Sequence, residues 1–213
     1  MPSETLVLLG DSILDNAPYT SPEPDTTQHL RNLMPSGWQV QRLAQDGAVM
    51  ASIRDQLSEL PQDATTAVLS VGGNDATEHI GLLDHPASNA ADVLDQLVSL
   101  ADDFATRYEE VARSVVDRVS RTILCTIYEV QLEPPSHARL ARAPLGLLND
   151  QIVQVGSALG LEVLELRSVC TDPSDFVLQI EPSAQGARKI AEAIAAVVVG
   201  GNGAVTPGRV FSA

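Results

Sequence analysis

Three features of the 213-residue chain predict an α/β fold, a three-layer α/β/α sandwich around a five-stranded parallel sheet. Apolar runs of strand length occupy residues 6–9, 40–43, 67–71, 122–127 and 161–166. Most are continuous rather than alternating, as in strands buried on both faces. Segments of helical period lie between them. Hydrophobic residues make up 44% of the chain but aromatics only 3%, so the core is aliphatic, which favours α/β layers over a β-sandwich.

The first strand ends at Gly10, and a first helix is expected beyond Ser12, with Asp15 and Asn16 at its approach. Helix follows over residues 50–60 and stops at Pro61. The clearest helix covers 91–116, where Leu94, Leu97, Ala101, Phe104, Tyr108, Val111 and Val115 recur at three- and four-residue spacing. A further helix over 145–158 ends near Gly160, where a left-handed residue is expected. The last helix covers 183–198 and follows Pro182. Residues 1–200 read as one domain, without repeat or linker, and 201–213 as a flexible tail.

Composition narrows the function. The formal net charge of −15 argues against nucleic acid as a partner. The acidic residues are spread along the chain and serve solubility. No basic leader is visible and no apolar run is long enough to span a bilayer, so the expected location is cytoplasmic. Cys125 and Cys170 are too few for a disulfide framework and lack metal-ligand spacing.

Ser12 lies in Gly10-Asp11-Ser12 at the carboxyl end of the first strand, the edge where open α/β sheets build ligand crevices. Two further post-strand loops share that edge: Gln45-Asp46-Gly47-Ala48 and Gly72-Gly73-Asn74-Asp75. Acyl transfer needs donors aimed at a forming oxyanion. The N–H groups of Ser12 and Gly47 and the side-chain amide of Asn74 would supply three.

These blocks, in this order and after successive strands, resemble the first three motifs of the SGNH (GDSL-type) hydrolases. The resemblance implies a flavodoxin-like sheet of order 2-1-3-4-5 and hydrolysis of small carboxylic esters, without cofactor or metal. It makes Ser12 the nucleophile and Gly47 and Asn74 members of the oxyanion hole. The bland alternative is that these residues are turn glycines and a capping Asn, with Asp11 and Asp75 shaping the two loops.

The family's last motif is Asp-x-x-His before Pro-Ser. Alignment on Pro182-Ser183 places Glu181 at the histidine and Leu178 at the aspartate. A serine hydroxyl needs a partner to take its proton. Histidine, with a pKa of about 6.5, suits this better than a glutamate of about 4.3, unless burial raises the glutamate. Three readings stay open: Glu181 acts as the base, directly or through water; His79 enters the site; or the scaffold only binds an acylated or carboxylate small molecule. His29, His85 and His137 read as surface residues, and Phe176 and Val177 as a wall for an acyl group. The expected partner is a small-molecule ester.

Overall fold

The computed structural model describes residues 4–79, 81, 86, 88–200 and 209–212. Its main sheet has the order β2-β1-β3-β4-β5-β8, with every pairing parallel. The strands are β1 (Glu4–Gly10), β2 (Trp38–Arg42), β3 (Thr66–Ser70), β4 (Arg121–Cys125), β5 (Glu162–Leu164) and β8 (Val210–Phe211). The expected order 2-1-3-4-5 is present, extended by one strand. β1 and β3 are central and buried almost throughout, whereas the edge strand β2 alternates half-buried and exposed residues. β5 is shorter than expected because Glu165 turns the chain, accepting a bond from the Arg167 N–H.

Helices cover both faces. On one lie α2 (Thr26–Leu33) and α7 (Ala184–Gly200), where Leu30, Ile190, Ile194 and Val198 meet Leu6, Leu8, Val68 and Ile123. On the other lie α3 (Ile53–Ser58), α5 (Ala90–Val116) and α6 (Pro135–Leu159), whose Ile53, Phe104, Tyr108, Leu148 and Ile152 meet Val7, Leu9, Ala67 and Leu69. Alternate strand residues thus feed two aliphatic cores. Short α1 (Ala17–Thr20) and α4 (Gly73–Thr77) follow the first and third strands of the sequence directly. Local signals set several boundaries. Asp25 and Gln28 form a reciprocal capping box at the start of α2, Asn89 caps α5, and Gly160 ends α6 at φ 68°.

Three expectations need correction. α6 begins at Pro135 rather than at 145 and runs through Pro144. Proline removes one backbone bond, but Leu140, Pro144 and Leu148, spaced four apart on one face, line a common cavity. The α5 stripe is core only from its middle onward, since Leu94 is 61% exposed while Ala101, Phe104, Tyr108 and Val115 are buried. Within the expected tail, Val210–Phe211 instead pairs with β5, and the Arg209 guanidinium lies over the Phe211 ring. Tail residues 201–208 and 213 lie outside the described residues. No helix among the described residues is long and apolar enough to cross a membrane.

A second, two-stranded antiparallel sheet stands apart: β6 (Phe176–Val177) with β7 (Glu181–Pro182). It brings the chain back toward the edge carrying Ser12.

Candidate active site

Gly10 creates the turn that presents Ser12. At φ 135° its added Cβ would fall 1.7 Å from the Ser70 carbonyl oxygen, so only glycine lets β1 run this close to the end of β3. Gln56 grips Gly10 on both sides, accepting from its N–H and donating to its carbonyl, each at 2.8 Å. The Asp11 N–H donates to Ser70 O at 3.1 Å, and Asp11 Oδ1 accepts the Ile13 N–H at 3.1 Å. The loop is therefore tied before and after Ser12. Ser12 itself is 7% exposed, and no described residue accepts its N–H.

The other two loops interlock with each other. Gly47 stands at φ 76° on the exposed loop after β2, and its N–H likewise has no acceptor among the described residues. Asn74, in the first turn of α4, donates one amide hydrogen to Ala48 O at 2.8 Å. The second amide hydrogen remains for another acceptor. Asp75 Oδ2 accepts the Met50 N–H at 3.0 Å, while its Oδ1 pairs with Arg107 at 3.1 Å. Asp11 and Asp75 thus make the loop ties expected of them.

Glu181 comes from the small hairpin. Burial raises its carboxyl above the ordinary 4.5, partly offset by the Ser12 hydroxyl, and Asp46 adds a repulsion that raises it further. Ser12 stands near enough to favour the charged carboxylate, while the buried Glu181 Oε2 has no hydrogen-bond partner among the described residues. Leu178, where an aspartate would orient a base, is 74% exposed in a left-handed conformation, φ 49°. The nearby buried carboxylate, Asp175, is fully engaged by Lys189, Gln185 and the N–H groups of Thr171 and Asp172.

Asp11 is the most perturbed acid beside Ser12. Burial pushes it up to about 7, opposed by the Ile13 N–H bond and reinforced by the negative charges of Glu181 and Asp75.

Ser12, Asn74, Asp11 and Glu181 all line one cavity of about 380 Å³, whereas Gly47 is not part of its wall. Away from this polar end the wall is apolar: Leu97 and Leu100 from α5, Leu140, Leu145 and Leu148 from α6, and Ile127. Leu97 belongs to the apolar stripe that marks the helix over 91–116. His79 lines the cavity, yet no hydrogen bond joins it to Ser12 among the described residues. His29 and His137 lie in α2 and α6, away from the cavity wall, and His85 is outside the described residues. Phe176 is buried against Tyr128 instead of walling the cavity, and Asp15 and Asn16 bond Asp46 and Thr26 respectively. Among the described residues no three His, Cys, Asp or Glu side chains gather to hold a metal ion.

Tyr128 and Gln179 were not anticipated. Tyr128 donates to Ile180 O at 2.6 Å, and Gln179 O and Oε1 accept from the N–H groups of Gln131 and Glu133 at 2.8 and 2.7 Å. Gln179, like Leu178, is left-handed, at φ 74°. Two such non-glycine residues cost about 1–2 kcal/mol each and persist only under outside restraint.

Comparison with known proteins agrees with this fold. The family model described as GDSL-like Lipase/Acylhydrolase matches residues 8–189. No curated protein sequence matches the chain. Among solved structures, a lipase from a goat rumen metagenome superposes with a TM-score of 0.70 at 17% identity, covering 91% of this chain and 96% of the other. A phospholipase A1 from Streptomyces albidoflavus gives 0.68 at 12% identity, covering 91% and 98%. An acetylxylan esterase from Geobacillus stearothermophilus gives 0.64 at 15% identity, covering 91% and 93%.

Proposed function

Because the chain belongs to the GDSL-like lipase/acylhydrolase family, we propose that it is a serine esterase in which Glu181 stands in for the histidine base. The observation that carries this reading is the meeting of Ser12 and Glu181 at the polar end of an apolar cavity. Ser12 Oγ attacks the ester carbonyl carbon as its proton passes to the Glu181 carboxylate. The Ser12 N–H and the free hydrogen of the Asn74 amide, both at the cavity wall, hold the oxyanion. Collapse breaks the bond to the alcohol, which leaves with the proton from Glu181. Water then attacks the acyl-enzyme, Glu181 takes its proton, and the acid is released with Ser12 restored. The apolar cavity suits an aliphatic acyl chain better than an acetyl group, which would leave most of it empty.

A second reading is binding of an acylated or carboxylate molecule without turnover, favoured by the exposed Leu178 at the position where an aspartate would orient the base. Nitrophenyl esters of increasing chain length separate the two. Turnover is expected to rise from acetyl toward medium chains, to vanish in Ser12→Ala and to fall about 10²–10⁴-fold in Glu181→Gln. Its acid limb should lie above pH 4.5, because Glu181 must be ionised and burial raises its pKa. Unchanged turnover in Ser12→Ala would sink the nucleophile assignment. No turnover at any pH, with Ser12 inert to a fluorophosphonate probe, leaves the binding reading.

A further inference from the structure

We infer that Tyr128 is a positioning residue for Glu181: its hydroxyl, bonded to the Ile180 carbonyl, sets the direction in which the small hairpin presents the carboxylate to Ser12. The inference rests on the reading of Glu181 as the base. The Ile180 carbonyl and the Glu181 nitrogen belong to one peptide plane. Fixing that carbonyl at 2.6 Å from Tyr128 therefore fixes where the Glu181 side chain departs from the backbone.

Tyr128 is well placed to act as a fixed point. It is 3% exposed and follows Ile127, whose N–H and carbonyl are both bonded to Asn149 of α6, at 2.7 and 2.8 Å. Its ring meets Phe176 edge-on, with centroids 5.0 Å apart, and Phe176 pairs with Pro182 in the hairpin. The ring thus holds one strand of the hairpin while the hydroxyl holds the peptide entering the other. The bonds from Gln131 and Glu133 reach only Gln179, farther out in the turn. Burial keeps the phenol protonated, so it remains a donor across the working pH range.

Among the described residues the groups interacting with Glu181 are neutral or acidic: Ser12 and Asp11 from the β1 loop, Asp46 from the β2 loop, Tyr19 from α1, and Tyr128 itself, while His79 shares the cavity wall without a bond to it. None of them draws the carboxylate into place by opposite charge. Apart from the Ser12 hydroxyl, its orientation depends on the backbone that carries it.

The test compares Tyr128→Phe, which keeps the ring, with Gln179→Ala, which loosens only the outer turn. Each is measured in the full chain by kcat and KM against a nitrophenyl ester across pH, and by NMR titration of the Glu181 carboxyl. Tyr128→Phe should lower kcat about tenfold with KM within twofold. Its acid limb and the Glu181 titration should both move down, as a freed carboxylate reaches water. Gln179→Ala should change kcat less than threefold and leave the titration in place. Equal effects from the two variants would mean a general loosening and overturn the inference, as would an unchanged Glu181 titration in Tyr128→Phe. Full turnover by Glu181→Gln would sink the base assignment alone, and the positioning role would then be decided by the carboxyl titration.

Discussion

Ser12 and Asn74 leave the ends of buried parallel strands, whereas Glu181 is carried by a two-residue strand outside the main sheet. The first pair inherits its geometry from the sheet: Gly10 packs against Ser70, and Asn74 is bonded across to the β2 loop. Glu181 inherits nothing from the sheet. It depends on a turn with two left-handed residues, restrained by side-chain and backbone bonds from residues 128–133. The groups assigned to stabilise charge thus sit on the rigid frame, while the group assigned to move a proton sits on a clamped loop. Changes on the frame should therefore cost turnover through the oxyanion, and changes at the hairpin through proton transfer.

After the loss of the nucleophile itself in Ser12→Ala, the largest effect expected from breaking the frame side is that of Asn74→Ala. Loss of one oxyanion donor costs on the order of 10²–10³ in kcat. The acid limb should stay where it is, because Glu181 is untouched. An acid limb that moves with Asn74 would show that the two sides are coupled and not separately held.

Asp11 lies between the sides, and its effect is one of stability. Between the ordinary 3.8 and about 7 the folded chain keeps a proton on Asp11 that the unfolded chain has released. Its contribution is complete at low pH and is lost as pH rises through 7. Asp11→Asn, which can still accept the Ile13 N–H, removes this dependence. Its unfolding free energy relative to the parent chain should improve by on the order of 2 kcal/mol from pH 5 to pH 7. A difference that stays flat in denaturant titrations at the two pH values would mean that Asp11 is ionised throughout.

The smallest effect belongs to the hairpin turn. Leu178 is exposed and left-handed, a conformation that Asn tolerates better. Leu178→Asn should stabilise the chain by about 0.5–1 kcal/mol, read as a small rise in Tm, with kcat unchanged. A fall in Tm would show that the Leu178 side chain contributes packing that outweighs the strain.

The same contrast explains what could be read from the residues alone. The strands and the three loops at the sheet edge were legible because continuous apolar runs mark the strands and Gly10, Gly47 and Gly72 mark the turns beyond them, while the strand order came from the family resemblance. The place of Glu181 was legible through Pro182-Ser183 and the helix behind it. Tyr128 was not, because its bond to Ile180 spans 52 residues and no local periodicity reports such a contact. The cavity was hidden for a related reason. Leu97 and Leu100 continue the stripe of Phe104 and Tyr108, and apolar spacing looks the same whether a side chain meets another helix or an empty space.

β8 has a bearing on how this chain lives beside copies of itself. The N–H groups of Val163 and Glu165 on the outer side of β5 donate to the carbonyls of Arg209 and Phe211. Uncovered, that row would be a template on which another molecule could add a strand. β8 is two residues long, with a guanidinium folded over its aromatic ring, so it closes the ladder and is too short to continue it. A final strand this short offers another copy almost no edge on which to pair.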